Sequence, residues 1–341
     1  MKPNTKLLAA AAAAALTVWP MAALPGPTAT RPTAYKSSPG PHRVAVTTRD
    51  WKDARRGRLV PVKIYSPADA QGALPAIVFS HGLGGSRDGY EYLGRHWAGH
   101  GYVCVHLQHL GSDAGVWRGA RDAMGAMRKA AADLRNAVDR PRDVRFAIDQ
   151  LARAGRDGPL LTGRVDLGRV GVAGHSFGAY TALASAGQAF GRRGLTLADG
   201  RIKAAIPMSA PVPRRGDLGR AFGGIRIPCL HMTGTRDRSI IGDTTPAQRR
   251  LPFDHSRACE RYLVTFTGGD HMVFAGTRRR GDGGRDARFQ DLIRQSTTAF
   301  WDAFLKGDAK AKAWLDGRFG AVLGGDGAFE HRRPSSRPHQ Q

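Results

Sequence analysis

The chain alternates between short apolar runs and longer segments of mixed polarity, which predicts strands and helices in turn. Short apolar runs between glycines and polar residues are typical of buried strands, and apolar residues three, four and seven apart indicate a helix. The predicted strands are residues 44–48, 59–65, 76–80, 102–106, 170–173, 202–208, 229–233 and 261–266, and the predicted helices are residues 90–100, 121–151, 179–190 and 292–305.

Strands and helices that alternate in this way favour a mainly parallel sheet with helices packed against it. The chain has 341 residues, 41% of them hydrophobic, which is enough to bury a substantial core. No internal repeat is visible, and no linker interrupts the middle of the chain. We therefore predict one α/β domain over residues 43–318.

Both ends of the chain differ from this pattern. Lys2 and Lys6 precede an apolar run that breaks at Pro20 and is followed by small residues, which is the arrangement of a secretory signal peptide. The run is shorter than the roughly 20 residues of a membrane span, although an uncleaved anchor is an alternative. We predict a signal peptide over residues 1–24, a flexible linker over residues 25–42 and a disordered basic tail over residues 319–341.

The signal peptide predicts a secreted or periplasmic protein. No cysteine lies near the cleavage point, since the first is Cys104, so we do not expect a lipoprotein. Cys229 and Cys259 could form one disulfide if their strands are neighbours, and three buried free thiols are the alternative.

The net charge of +24 raises the question of a polyanionic partner. The arginines are spread over separate loops, and no motif for nucleic-acid binding accompanies them. We therefore predict no dedicated nucleic-acid partner. We expect a monomer with a basic surface that adsorbs electrostatically to anionic surfaces.

The clearest chemical motif is Gly174-His-Ser-Phe-Gly178, directly behind a predicted strand. It matches the G-x-S-x-G nucleophile elbow, in which a sharp turn between strand and helix lifts a serine above the sheet. The motif predicts that Ser176 is a nucleophile and that the backbone amide of Phe177 faces an oxyanion. A glycine-rich turn without chemistry is the alternative.

An acid and a base follow Ser176 in the order Ser, Asp, His that is typical of α/β-hydrolases. Asp237 and His271 each come directly after a predicted strand, where open parallel sheets build their sites. We predict that Asp237 and His271 complete a catalytic triad. The competing bases are His81, His106, His109, His175, His231 and His255, and the competing acids are Asp243, Asp254 and Asp270.

The glycine-rich run His81-Gly-Leu-Gly-Gly85 follows another predicted strand. In this kind of fold that loop supplies a second oxyanion donor, which we expect to be the backbone amide of Leu83. The run is not a dinucleotide fingerprint, because Arg87 stands where the last glycine is needed. The chain has no phosphate-loop motif and no H-E-x-x-H or C-x-x-C pair, so we predict no cofactor and no metal.

The substrate crevice is less well defined by the sequence. Trp117, Arg118, Met208 and residues 211–224 lie near its expected edges, where aromatic or methionine side chains could contact an acyl chain. Ordinary packing of the core and loops is the favoured interpretation of the same residues.

Together these motifs resemble a known group, the bacterial predicted dienelactone hydrolases, which are secreted α/β-hydrolases similar to the platelet-activating factor acetylhydrolase and chlorophyllase-like lipase groups. The resemblance covers residues 43–318. It is carried by Phe79-Ser-His-Gly-Leu-Gly-Gly85, Gln108-His-Leu-Gly-Ser-Asp113, Arg140-Pro-Arg-Asp-Val144, Gly174-His-Ser-Phe-Gly178 and Phe304-Leu-Lys-Gly-Asp-Ala309.

The resemblance implies a single-domain α/β-hydrolase fold, hydrolysis of carboxylic esters without a cofactor, and a triad of Ser176, Asp237 and His271. True dienelactone hydrolases use a cysteine nucleophile, so a lactone substrate is not implied here. We expect a serine esterase for lipid-like, short-chain or polyester substrates. An amide or peptide hydrolase and a non-catalytic binding protein on the same fold are the alternatives.

Overall fold

The computed structural model describes residues 33–157, 165–191, 193–276 and 284–335. The predicted signal peptide and the first part of the predicted linker lie outside these residues. Within the described ranges, the strands are β1 (Val44–Asp53), β2 (Arg58–Pro67), β3 (Leu74–Ser80), β4 (Val103–Leu107), β5 (Val165–His175), β6 (Ala189–Phe190), β7 (Leu195–Thr196), β8 (Ile202–Met208), β9 (Cys229–Arg236), β10 (Arg261–Asp270) and β11 (Gly327–Arg332).

The α-helices of the same ranges connect these strands. They are α1 (Glu91–Gly99), α2 (Ala123–Ala132), α3 (Leu134–Asp157), α4 (Phe177–Ala186), α5 (Leu218–Phe222), α6 (Leu251–His255), α7 (Arg285–Leu305), α8 (Ala309–Gly317) and α9 (Phe319–Leu323). No helix of the described ranges combines the length and the apolar character that a membrane crossing requires.

Nine strands form one sheet in the order β1-β2-β4-β3-β5-β8-β9-β10-β11. The six central strands, from β4 to β10, are parallel to one another, and antiparallel pairs occur at both sides. The fold class predicted from the sequence, a mostly parallel sheet flanked by helices, is confirmed. Because parallel strands end at the same edge, the loops after β3, β5, β9 and β10 are brought together there.

The central strands are buried on both faces, as strands of a parallel sheet between helices must be. Successive residues of β3 contribute to different cores: Ile77 and Phe79 belong to one, and Ala76 and Val78 belong to the other. The first core includes Trp301 of α7, whereas the second includes the apolar residues of α3 and α4. The sheet is thereby held rigidly between two helical layers.

The predicted long helix over residues 121–151 is two helices, α2 and α3. The break lies at Asp133, whose backbone is extended at φ −73° and ψ 111°. Its carboxylate accepts a hydrogen bond from the amide of Arg135 at 2.9 Å. Asp133 therefore caps the start of α3, which a pattern of apolar spacing does not reveal.

The described part of the predicted linker, residues 33–42, is bound to the helices rather than free. Tyr35 donates its hydroxyl hydrogen to Asp302 of α7 at 2.7 Å, and the indole of Trp314 donates to the carbonyl of Thr33 at 2.9 Å. The amide of His42 donates to the carbonyl of Gly99 at 3.1 Å. The prediction of a flexible linker is wrong for these residues.

The prediction of a disordered tail over residues 319–341 is also wrong for its described part, residues 319–335. Phe319 and Leu323 of α9 are buried, and β11 pairs with β10 along the edge of the sheet. Phe329 of β11 stacks on Tyr262 with ring centroids 5.9 Å apart. Because an edge strand pairs through its backbone, the basic composition of this segment does not prevent it from joining the sheet.

All three cysteines, Cys104, Cys229 and Cys259, are buried free thiols. Contact with the Cys259 thiol and burial together raise the pKa of the Cys229 thiol well above its usual range. Of the two possibilities that the sequence left open, the structure has the free thiols.

Candidate active site

The turn between β5 and α4 has the strained geometry that its sequence predicts. Ser176 has φ 57° and ψ −118°, a conformation that residues other than glycine rarely adopt. A Cβ atom on Gly174 would lie 2.2 Å from the carbonyl oxygen of Gly178, and one on Gly178 would lie 1.9 Å from that of Ser80. Both glycines are therefore required for the helix to approach the sheet so closely.

The structure brings Ser176, His271 and Asp237 together at the end of the parallel strands. The Ser176 Oγ lies 2.9 Å from Nε2 of His271, and Nδ1 of His271 lies 2.7 Å from Oδ1 of Asp237. Asp237 follows β9 and His271 follows β10. Asp237 is fully buried, and His271 is nearly so. A chain of two hydrogen bonds thus joins a hydroxyl near the surface to a carboxylate inside the protein.

Asp237 is held by more hydrogen bonds than the one to His271. The hydroxyl groups of Ser209 and Thr233 donate to its Oδ2 at 2.5 and 2.9 Å. Burial by itself would raise the pKa of Asp237, but the bond from His271, the charge of Arg249 and the bond from Ser209 outweigh it and lower the pKa to about 2. The carboxylate is therefore ionised at neutral pH and fixed in one orientation.

Arg249 is a member of this cluster that the sequence did not indicate. Its side chain is only 1% exposed, and its Nε lies 3.3 Å from Oδ1 of Asp237. Its Nη1 donates to the carbonyl of Ser209 at 2.8 Å, and its Nη2 lies 3.3 Å from Nδ1 of His271. Because Nδ1 donates to the carboxylate, this last approach is a contact between two donors. In the sequence, Arg249 is one of many arginines of a basic chain, and nothing marks it as buried.

The predicted oxyanion donors are the backbone amides of Leu83, in the loop after β3, and Phe177, directly after Ser176. In the loop after β3, the amide of Gly84 donates to the carbonyl of Ser112 at 2.9 Å, and that of Gly82 donates to the hydroxyl of Tyr90 at 3.4 Å. Among the hydrogen bonds of the described residues, none uses the amide of Leu83 or Phe177. A Cβ on Gly82 would lie 3.4 Å from the Cβ of Ser176, so this loop borders the serine.

His175, directly before the serine, connects this loop to His271. Its Nε2 donates to the carbonyl of His271 at 2.9 Å, and its Nδ1 accepts from the hydroxyl of Tyr90 at 2.7 Å. Burial, followed by the nearby His271, lowers the pKa of His175 well below its usual range. A neutral imidazole in one tautomer therefore links both sides of the site, a role that only the three-dimensional structure reveals.

The remaining candidate bases and acids contact other groups. The imidazole of His109 is hydrogen-bonded to Asp143 and Ser80, and the imidazole of His106 is hydrogen-bonded to the carbonyl of Gly89. The rival acids pair with their own neighbours: Asp243 with Arg214, Asp254 with Arg250, and Asp270 with the amide of Met272. His81 accepts from the amide of His109, and His231 is buried beside Phe253.

One group of side chains has the composition of a metal site. Among the described residues, atoms of Glu260, Asp316 and His331 lie within 4.8 Å of one another. The ammonium of Lys312 lies 2.7 Å from the carboxylate of Glu260 and 2.6 Å from that of Asp316. A side-chain cation thus already supplies the positive charge between these carboxylates.

The residues predicted at the crevice edge have different surroundings. Met208 is fully buried in the core, and its carbonyl accepts from the amide of Ser176 at 2.9 Å. Trp117 is 39% exposed and donates its indole hydrogen to the carbonyl of Gly84 at 2.8 Å. Met272, beside His271, is 38% exposed. Trp117 thus offers apolar surface at the loop after β3 and Met272 offers it beside His271, whereas Met208 packs as an ordinary core residue.

This arrangement has the chemical parts needed for acyl transfer. A hydroxyl that is hydrogen-bonded to an imidazole nitrogen can pass its proton to that nitrogen as it attacks a carbonyl, and a fixed carboxylate stabilises the imidazolium that results. Free backbone amides at a helix start can hold the negative oxygen that forms at the same time. These parts require no metal or cofactor.

Comparison with known proteins agrees with this geometry. None of the curated proteins compared with the chain is similar enough to count as a match. The sequence model of one family, described as PET hydrolase-like, matches residues 20–282, which is more than half of the chain. That family is an α/β-hydrolase family related to the dienelactone hydrolase-like enzymes, as the resemblance of the motifs predicted. The chain belongs to the PET hydrolase-like family, and it is accordingly a hydrolase of the ester-cleaving type.

Proposed function

We propose that the protein is an exported serine hydrolase that cleaves carboxylic esters through an acyl-enzyme at Ser176. His271 takes the proton of Ser176 as its Oγ attacks the ester carbonyl, and Asp237 stabilises the imidazolium. The amides of Leu83 and Phe177 hold the oxyanion. His271 then passes the proton to the leaving alcohol. Water, activated by the same imidazole, releases the acid and restores the hydroxyl.

One observation carries this proposal. The strained turn at Ser176 directs its hydroxyl to within 2.9 Å of His271, whose other nitrogen lies 2.7 Å from a buried carboxylate. A serine kept only for a turn would need neither the positive φ nor the buried, ionised partner two hydrogen bonds away.

For the substrate, we propose uncharged esters with an apolar acyl part, among which polyesters are favoured by the family to which the chain belongs. The exposed apolar surface of Trp117 and Met272 supports this choice, because it lies beside residues of the proposed oxyanion loop and the proposed base. Lipid-like and short-chain esters remain in the same class. A panel of p-nitrophenyl esters of increasing acyl length, a polyester film and a phospholipid ranks them by kcat/KM.

The test of the reaction is the hydrolysis of a p-nitrophenyl ester by the wild type and by Ser176→Ala. Loss of the nucleophile lowers kcat by about 10⁶-fold in enzymes of this type. Ser185→Ala is the matched control, because Ser185 lies buried in α4, the helix that begins directly after Ser176, and its hydroxyl has no partner among the described residues. We expect the control to keep kcat within about twofold. Activity of Ser176→Ala near that of the wild type contradicts the proposal.

Two alternatives give different results in these assays. An amide or peptide hydrolase uses the same groups, but it would also cleave the matching anilide and a peptide bond at rates far above those of Ser176→Ala, whereas an esterase would cleave only the esters. A non-catalytic binding protein would neither hydrolyse the esters nor react with a fluorophosphonate, and its binding to a polyanion would fall steeply with salt.

We also propose that residues 1–24 direct export. Expression of the full chain should place the protein in the periplasm or medium, with an N-terminus close to residue 25 by mass spectrometry. Retention of the complete N-terminus in the cytoplasm contradicts this part of the proposal.

A further inference from the structure

Arg140 of α3 is a buried cation without a carboxylate partner. Its side chain is fully buried, and no carboxylate of the described residues lies within 4.0 Å of it. The nearby Asp143 uses its oxygens for Arg56, Arg58 and His109. Burial lowers the pKa of Arg140 to about 9, so its guanidinium remains charged at neutral pH. Because a buried charge without a carboxylate in direct contact is costly, its retention suggests a function.

The guanidinium of Arg140 donates to three neutral oxygens. Its Nε bonds the hydroxyl of Thr181 at 2.9 Å, its Nη1 bonds the hydroxyl of Ser112 at 2.9 Å, and its Nη2 bonds the carbonyl of His81. Its Cζ also lies 4.5 Å from the ring centroid of Phe177, within the range of a cation–π interaction.

These contacts reach both halves of the proposed oxyanion hole. His81 precedes Gly82 and Leu83 in the loop after β3, so its carbonyl fixes the start of the segment that presents the Leu83 amide. Ser112 acts on the same segment, because its carbonyl accepts from the amide of Gly84 at 2.9 Å.

The other contacts of Arg140 hold the start of α4. Phe177 presents the second amide, and its ring lies against the guanidinium. Thr181, one turn further along α4, donates its hydroxyl hydrogen to the carbonyl of Phe177 at 3.0 Å. One planar group therefore touches the loop and the helix whose amides must converge on a single oxygen atom.

We propose that Arg140 is a positioning residue that sets the distance between the Leu83 and Phe177 amides. This inference rests on the proposed function, because it assigns Arg140 to the oxyanion hole of that reaction. Arg140 does not touch the substrate. The planar guanidinium matters because its three hydrogen-bond donors point in fixed directions, whereas the ammonium of a lysine has no such geometry.

The expected effect is on the transition state rather than on substrate binding. Loss of one oxyanion donor lowers kcat by about 10²- to 10³-fold in related chemistry. A displaced oxyanion donor lowers kcat less than a missing donor does, so we expect Arg140→Lys to lower kcat by about 10- to 100-fold. KM should stay within about threefold, because the ground-state ester makes little use of these amides.

The experiment measures kcat, KM and the number of active sites for the wild type, Arg140→Lys and Arg142→Lys. Arg142 lies exposed on the same helix and is the matched control. Titration with a fluorophosphonate counts competent sites, so a merely unfolded fraction lowers the count and leaves kcat per site unchanged. A trifluoromethyl ketone, which binds as an oxyanion, should lose affinity in the same ratio as kcat/KM falls.

Further variants keep the test decisive if Arg140→Lys does not fold. Ser112→Ala and Thr181→Val each remove one acceptor, and we expect each to lower kcat per site by about three- to tenfold. If these variants, or Arg140→Lys, keep kcat per site within twofold of the wild type, the inference is wrong. If the wild type neither hydrolyses esters nor reacts with the fluorophosphonate, the proposed function itself fails.

Discussion

Replacement of Asp237 by asparagine should affect both activity and stability, in amounts that follow from its surroundings. Asparagine has nearly the same shape and can still accept from Ser209 and Thr233, so the fold should survive. It carries no charge, however, and leaves the buried guanidinium of Arg249, 3.3 Å away, without its partner. It can also donate to Nδ1 of His271 and so favour the wrong tautomer. We expect kcat to fall by about 10⁴-fold.

The stability of the wild type should depend on pH through the same carboxylate. The pKa of Asp237 is lowered from an ordinary 3.8 to about 2 in the folded protein. This difference corresponds to about 2 kcal/mol of unfolding free energy. Because the pKa is lower in the folded state, the contribution is present above pH 3.8 and is lost as the pH falls towards 2. The asparagine side chain of Asp237→Asn cannot titrate, so the variant lacks this contribution at every pH.

Urea unfolding of the wild type and Asp237→Asn at pH 7, 5, 4 and 3 measures this contribution. Other carboxylates titrate equally in both proteins, so the difference in unfolding free energy isolates Asp237. The difference should be at least about 2 kcal/mol at pH 7 and should shrink below pH 4. A difference that stays constant with pH, or a kcat within tenfold of the wild type, would refute the reasoning.

Three further predictions concern the surroundings of the site and the end of the chain. Gly178→Ala should lower the unfolding free energy by about 3 kcal/mol, because the added Cβ would lie 1.9 Å from a backbone oxygen. Gly200 has open space around it, so the control variant Gly200→Ala should change thermal stability little. Arg249→Met removes a charge that lowers the pKa of the buried carboxylate, so acid unfolding should begin at higher pH than in the wild type; an unchanged acid midpoint contradicts this. A chain that ends at Asp326 lacks β11 and should be less stable, by about 3 kcal/mol or more in thermal unfolding, than a chain that ends at Ser335. Equal stability of the two chains would show that β11 contributes nothing.

The parts of the site that depend on local geometry could be predicted from the sequence. The turn at Ser176 needs glycines at fixed offsets, and Asp237 and His271 stand directly after apolar strands. Because parallel strands end at one edge, their order along the chain was enough to expect them side by side. The structure places these three residues within hydrogen-bond distance.

The parts that depend on long-range burial could not be predicted. Arg140 and Arg249 are two of 52 basic residues in a chain of net charge +24, and charged residues usually lie at the surface. Only the packing of α3 against α4 and the central strands encloses Arg140, and only the packing of the turn before α6 beside β9 encloses Arg249. By residue type alone His175 is a candidate base, but its two hydrogen bonds use both ring nitrogens.

The ends of the domain were predicted less well for a different reason. The segment around Tyr35 and strand β11 are both polar in composition. The hydroxyl of Tyr35 holds the first by donating to Asp302, and backbone pairing with β10 holds the second. Composition predicts disorder where apolar residues are few. Composition does not reveal the contribution of one aromatic residue such as Phe329, which stacks on Tyr262.

The most direct test of the proposed mechanism is to locate the acyl group during turnover. The protein is mixed with a p-nitrophenyl ester, quenched in acid within the first turnovers and analysed by peptide mass spectrometry. We predict one acyl group per chain, attached to Ser176, and none in Ser176→Ala. An acyl group on another residue, or hydrolysis by Ser176→Ala at the wild-type rate, would contradict the central role of this serine.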